Sequence, residues 1–351
     1  MHEGLDYELL VSLTEERGVP GYEDRVREQV RSAIDPHVDR VRSDAMGNLV
    51  GTRRGEGDYD VLVAAHMDEI GFMVRHVDDD GFLELDPLGG WDPRILWAQR
   101  VTVHTDEGDL PGVIGATPPH TRDDGQAATD EQDVDDVHVD LGLAAEVAHE
   151  RVAVGDLVTL DESTTRVGEL ITGKALDNRV SVFAMLEAAR RLEAPDATVH
   201  FAATTQEEVG LRGAEALGVD LDPDLVVAVD TTVANDVPEV DAGEHVTELG
   251  AGAGIKLKDA SVITNHKVHR RLRDVADDEA IAHQLEVLSS GGTDTGSLQR
   301  VSGATPAGAL SVPTRYLHTP TECVHGDDVA AAVELLVGFL ETEDGGHDYI
   351  L

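Results

Sequence analysis

Apolar residues recur at three- and four-residue spacing from Asp6 to Glu16 and again from Glu23 to Ile34. The break between them is Gly18-Val-Pro-Gly21, so the chain opens with two helices. Short apolar runs from Asn48 to Thr52 and from Val61 to Ala65 predict strands. From Gly71 to Leu160 the texture changes to short alternating pieces such as VTVHT and DLVTL, punctuated by Gly and Pro and without a long helical period. That stretch, taken as 70–163, is predicted to be a small β domain inserted into a larger one made of 1–69 and 164–351. The βα rhythm resumes after Gly173. Helix Asn178 to Leu192 leads to strand Thr198 to Ala203, a short helix Leu211 to Leu217 and strand Leu225 to Val229. Helix His269 to Ala280, strands Gln284 to Leu288 and Ala309 to Val312, and helix Asp327 to Glu341 complete the series. Alternation of this kind specifies an α/β fold, a mixed sheet with helices on both faces, interrupted here by a β-barrel-like insertion. Ligands of such sheets gather at the carboxyl ends of the strands. No internal repeat is present.

The 70 acidic and 27 basic side chains of this 351-residue sequence give a formal net charge of −43. Nucleic acid is excluded as a partner, because phosphate binding requires a basic footprint. With 41% hydrophobic residues in periodic runs the chain is nevertheless a folding one, so the acid lies on a folded surface. Self-repulsion of that size weakens a compact state unless salt screens it, and screening shortens to about 3 Å at molar salt. A salt-rich cytosol, that of a halophile, is the expected setting. The single Cys323 rules out an intrachain disulfide and a cysteine zinc cluster, and it fits a reducing compartment. The opening MHEGLDYELLVSLTEERG lacks a basic region followed by an apolar one. No apolar run approaches the length of about 20 residues that spans a bilayer, so the chain is read as cytoplasmic with no membrane partner. Residues 120–140 carry eight acids against Arg122 and read as a solvated loop.

Candidate chemistry lies where apolar strands end. His66 follows Val61-Leu-Val-Ala-Ala65, and Asp68 is placed to accept one ring N–H and leave the other nitrogen for a metal. Asp177 stands just before an amphipathic helix, as an N-cap does, yet its carboxylate has two oxygens with which to bridge cations. Glu207 and Glu208 end another strand, where adjacent side chains diverge, so that one binds metal while its neighbour faces the reacting water. Asp230 ends a fourth apolar run, and His318 follows a short extended one in RYLHTPTE. His66, Asp177, Glu208, Asp230 and His318 together suit two divalent ions, zinc first, with cobalt or manganese as alternatives. A carboxylate-pair glycosidase is the competing enzyme class, but neighbouring glutamates are badly placed to flank a sugar and the histidines go unexplained. A metal-binding shell protein without chemistry is the other alternative.

The segments AAHMDEIGFMV, PLGGWDP, GVIGATPPH, VHVDLGL, GKALDNR, TTQEEVGLRGA, AVDTT, GGTDTG and RYLHTPTE, in that order, resemble the tetrahedral (TET) aminopeptidases, dinuclear zinc metallopeptidases that include glutamyl, leucyl, lysyl and deblocking enzymes. The resemblance spans nearly the whole chain. It implies an aminopeptidase that removes the N-terminal residue of short peptides. His66 and Asp230 would hold one metal, Glu208 and His318 the other, with Asp177 bridging. Glu207 would be the general base for a hydroxide between the metals, and Asp68 the orienter of His66. Thr293 and Asp294 match a segment near the substrate. The resemblance further implies that the inserted domain dimerises and that dimers assemble into a hollow tetrahedral dodecamer. Two departures stand out: Thr319 follows His318 where serine is common, and the 120–140 segment is unusually acidic.

Overall fold

The computed structural model describes residues 4–116, 120 and 133–351. Most of the acidic segment, 121–132, lies outside the described residues. The chain divides into two compact units, one of Met1–Glu69, Thr164–Leu317 and Thr321–Leu351, the other of Ile70–Ser163 with His318–Pro320. In chain order the elements begin with α1 (Tyr7–Glu15), α2 (Asp24–Ile34), β1 (Arg40–Ser43), β2 (Leu49–Arg53) and β3 (Asp60–His66). The second unit contributes β4 (Gly71–Val77), β5 (Leu83–Leu88), β6 (Arg100–Thr105), β7 (Gly108–Ile114), β8 (His138–Asp140), α3 (Ala145–Arg151) and β9 (Leu157–Leu160). The first unit resumes with β10 (Thr165–Val167), β11 (Leu170–Gly173), α4 (Leu176–Arg191), β12 (Thr198–Thr204), α5 (Arg212–Asp220) and β13 (Leu225–Val233). It ends with β14 (Ala253–Lys258), α6 (His266–Asp278), β15 (His283–Val287), α7 (Thr295–Leu298), β16 (Ala307–Arg315), β17 (Glu322–His325) and α8 (Gly326–Glu341).

The first unit is built on an 11-stranded sheet in the order β1-β2-β12-β3-β13-β16-β17-β11-β10, with β14 pairing β16 and β15. Its centre is parallel, β12 with β3, β3 with β13 and β13 with β16; β2, β17 and β14 join that centre antiparallel, and the edge strand β15 runs parallel to β14. The two-residue period of a strand explains the continuous apolar run in β3. Val61, Val63 and Ala65 enter one apolar cluster with α4 and α8, while Leu62 and Ala64 enter a second with Ala214 and Leu217 of α5 and Leu298 of α7. Helices therefore cover both faces. Helix α4 is the exception to an amphipathic expectation: every residue from Leu176 to Ala189 is buried, because it runs between the sheet and the helices α1, α2 and α8. Helix α6 starts three residues before the apolar period does, since the Asn265 side chain caps it by accepting from the amides of Lys267 and Val268.

In the second unit β4-β5-β8-β7-β6-β9 close into a barrel. Phe72, Val74, Leu83, Leu85, Val101, Val103, Val139 and Val158 fill it, and Phe72 stacks on Trp91 at 4.7 Å. The β-rich texture of this stretch hid one short helix, α3, whose Ala148 is buried in the barrel core. Among the described residues no helix is long and apolar enough to cross a membrane.

Candidate active site

Three parallel neighbours, β12, β3 and β13, end at one rim of the first unit. His66 is the last residue of β3 and is in register with Thr204, the last of β12. Counting in twos, His66 shares the face of Leu62 and Ala64, and Asp230 shares that of Val226, so both side chains point to the face covered by α5 and α7. His66 Nε2 lies 3.6 Å from Asp177 Oδ1, 3.6 Å from Asp230 Oδ1 and 3.8 Å from Glu207 Oε2. Ligand atoms of His66, Asp177 and Glu208 all fall within 4.8 Å of one another. These separations are too long for hydrogen bonds. They approach the roughly 3.4 Å that separates two donors bound at about 2.0–2.1 Å to one tetrahedral ion. Several carboxylates facing one buried imidazole form a donor set that fits a divalent cation.

Each side chain is held by its local backbone. Ala175 is left-handed, at φ 56°, and neither Asp177 nor Asn178 is helical, so Asp177 sits within an irregular first turn of α4, not at an N-cap. The Asp177 amide donates to Glu322 Oε2 at 2.9 Å, and Asn178 Nδ2 donates to the carbonyl of Val229 at 3.1 Å, one residue before Asp230. After β12 four consecutive amides are taken by side chains remote in sequence. Thr205 donates to Asn48 Oδ1 at 3.1 Å, Gln206 to Glu23 Oε1 at 3.2 Å, and Glu207 and Glu208 to the two oxygens of Asp68 at 3.1 Å each. Asp68 is fully buried, and its Oδ1 is 3.5 Å from His66 Nδ1, so its short contacts are with the glutamate backbone and its longer one with the ring. Gly213 seals the loop: a Cβ there would lie 2.2 Å from the Thr205 carbonyl oxygen.

Burial dominates the electrostatics. It opposes a charged His66, but the carboxylates of Glu207 and Asp230 outweigh it and hold the imidazole well above its usual range. Burial, reinforced by Asp230, Glu208 and Asp294 against His66, pushes Glu207 well up. Asp230 rises for the same reason, and Asp294 reaches about 7. Asp294 is tied to the rim because Thr204 Oγ1 donates to its Oδ2, and Thr293 Oγ1 reaches Thr295 Oγ1 at 3.0 Å.

His318, left-handed at φ 58°, belongs to the second unit, where its Nδ1 lies 2.9 Å from the carbonyl oxygen of Gly90. A carbonyl only accepts, so Nδ1 carries the proton. The cations of GKALDNR serve the scaffold. Lys174 Nζ meets Glu69 Oε2 at 2.6 Å, and the buried Arg179 donates to the carbonyls of Leu13, Glu16 and Gly18 at 2.5, 3.1 and 3.5 Å. Asn48 and Glu23 escaped the sequence reading, because an acid at a helix start and an asparagine before a strand are ordinary there.

Residues 47–335 match the model of the M42 glutamyl aminopeptidase family. The chain belongs to this family. Membership makes it a metal-dependent aminopeptidase, a hydrolase acting on peptide bonds. The M42 chain is 34% identical to the lysyl aminopeptidase of Pyrococcus furiosus over 342 residues, 96% of this chain and 97% of that one. An aminopeptidase structure from the archaeon Desulfurococcus kamchatkensis superposes with a TM-score of 0.91 at 38% identity, over 96% of this chain and 94% of that one. The TET1 peptidase of Pyrococcus horikoshii, which can assemble into a tetrahedron or a large octahedral shell, gives a TM-score of 0.84 at 33% identity, over 96% and 99%.

Proposed function

We propose that this M42 chain removes the N-terminal residue of short peptides at a pair of divalent ions, zinc first, with cobalt or manganese as alternatives. His66 and Asp230 would hold one, Glu208 and His318 the other, and Asp177 would serve both. The observation that carries the reading is the single imidazole nitrogen, His66 Nε2, faced at 3.6 to 3.8 Å by carboxylates from three separate segments. A His318 ring with its proton fixed on Nδ1 by a carbonyl has the tautomer that a ligand requires. Bound there, the ions supply positive charge that polarises the scissile carbonyl and acidifies water. Glu207 takes the proton of the attacking water and returns it to the departing amine. Asp68 keeps Glu207 and Glu208 in place through their amides and faces His66. Thr293 and Asp294 contact the first residue of the peptide. The barrel unit serves dimerisation, and dimers build a tetrahedral dodecamer in a salt-rich cytoplasm, where screening relieves the charge of −43 that otherwise opposes association.

The test is Glu207→Gln. The variant keeps its metal content, two ions per chain by elemental analysis, while turnover of an aminoacyl amide falls by about 10²–10⁴-fold. Chelation of the unaltered protein abolishes the activity, zinc or cobalt restores it, and an N-acetylated peptide is refused. Full turnover in a metal-replete Glu207→Gln removes Glu207 from its role. Aminoacyl-amide turnover that survives chelation overturns the metal centre.

A further inference from the structure

The turn that presents Glu207 owes its shape to side chains outside it. Gln206 is left-handed at φ 54°, a conformation that a residue with a side chain adopts only when its surroundings impose it. Its amide is held by Glu23 Oε1 at 3.2 Å, and the same oxygen accepts from the amide of Gly21 at 2.7 Å. One carboxylate oxygen thus ties the Gly-Val-Pro-Gly break ahead of α2 to the turn after β12, across more than half the chain. The near side of this tie is fixed. The Glu23 carbonyl accepts from the amide of Arg27 at 2.8 Å at the start of α2. Gly18 is clamped by Glu69 Oε1 at 3.0 Å on its amide and by Arg179 on its carbonyl. Glu23 is 2% exposed and stands in the field of the equally buried Asp68, and burial first, then that field, pushes it up to about 7. A neutral side chain would fill the same space without these penalties.

We propose that Glu23 is a positioning residue for the aminopeptidase reaction, fixing through the Gln206 amide the turn that aims Glu207. The inference rests on the reading of Glu207 as the base. The test compares Glu23→Met, which keeps length and removes the acceptor, with Glu23→Gln, which keeps an acceptor oxygen, and with Glu207→Gln, each as metal-loaded full chain. In Glu23→Met, metal content and KM hold while kcat falls by about 10²-fold, the scale of a small misplacement of a catalytic group. Glu23→Gln recovers most of that loss. Hydrogen exchange at the 205–208 amides quickens in Glu23→Met and far less in Glu23→Gln. If Glu23→Met does not fold, Glu23→Asp carries the test: its acceptor is withdrawn by one methylene, so kcat drops at constant KM, and an unchanged kcat overturns the proposal. It is equally overturned if Glu23→Gln is as slow as Glu23→Met, or if lost turnover only follows lost metal. An inactive Glu207→Gln beside a fully active Glu23→Met overturns the positioning alone, whereas a fully active Glu207→Gln overturns the base assignment and this proposal with it.

Discussion

Asp68→Asn separates the two tasks assigned to that side chain. Its oxygens each accept one amide, Glu207 on Oδ1 and Glu208 on Oδ2, both at 3.1 Å, and the carboxylate is shut off from water. Asparagine keeps the shape and one acceptor. Its other terminal atom is an NH2, so whichever amide faces it meets a donor. A buried N–H left without an acceptor costs about 1–3 kcal/mol. The surviving bond loses its charge assistance, and such bonds are roughly twice as strong as neutral ones. A small return comes from Glu23, whose raised pKa owes its second contribution to Asp68 and falls when that charge is gone. The net loss is roughly 2–3 kcal/mol, concentrated on the turn that carries both glutamates. Denaturant unfolding in chelator reads this stability loss, and kcat with KM on an aminoacyl amide reads the displaced base, about 10²-fold in kcat. Elemental analysis reports whether metal content falls with the loosened turn. If Asp68→Asn unfolds within about 0.5 kcal/mol of the parent and turns over normally, the two amide contacts do not govern the turn and the reasoning fails.

Two predictions concern the scaffold. Arg179→Met strips buried donors from the carbonyls of Leu13, Glu16 and Gly18 and leaves Glu69 with the Lys174 ammonium and the Gly18 amide. A loss of about 3–5 kcal/mol is expected from denaturant unfolding, and under about 1 kcal/mol would mean that water replaces the guanidinium. Asp328 is fully buried, accepts the amides of Gly250 and Gly252 at 2.8 Å each, and is pushed by burial from 3.8 up to about 6. Because its folded pKa is the higher one, its contribution is complete below about pH 4 and is lost as pH rises through about 6. Relative to Asp328→Asn, the parent should therefore gain about 1.4 kcal/mol for each pH unit below 6, and a difference constant between pH 8 and pH 5 would refute this.

The parallel centre of the sheet was legible because strands buried on both faces leave unbroken apolar runs, as in Val61 to Ala65 and Leu225 to Val229. The margins were not. β1 is Arg-Val-Arg-Ser with no buried residue, and β10 is exposed throughout, so neither shows a period to read. The same contrast holds at the rim. His66 betrays itself as the polar residue closing an apolar strand; Asp230 follows an apolar run but lies inside β13, which continues to Val233, and Glu207 and Glu208 lie in the turn beyond Thr204, the last residue of β12, and not at the strand end expected of them. Glu23 and Asn48 have no such flag, because their partners are main-chain amides more than 150 residues away, and amides carry no sequence signal. Asp177 is legible as an acid just ahead of a regular helix, but the irregular turn at Asp177 and Asn178, tied by Glu322 and the Val229 carbonyl, carries no sequence signal.

The distribution of cations fits this rim to a metal site better than to an ion-pair network. The chain has few lysines and arginines, and the buried ones in this unit are committed elsewhere, Lys174 and Arg179 to Glu69 and the end of α1, Lys256 to Glu286. Among the described residues no lysine or arginine pairs with Glu207, Asp230 or Asp294, and burial drives all three toward their protonated forms. His66 opposes that drive, helped by the Thr231 amide on Asp230 and the Thr204 hydroxyl on Asp294, and one imidazolium cannot balance so many acids. Divalent ions would do so, and because they would bind the folded arrangement in preference to the unfolded chain, their binding free energy would add to the stability of the fold. Asp68 and Glu23 fit this logic from behind. They are acids whose oxygens accept the main-chain amides of Gln206, Glu207 and Glu208, so the turn bearing Glu207 is held by the protein's own groups.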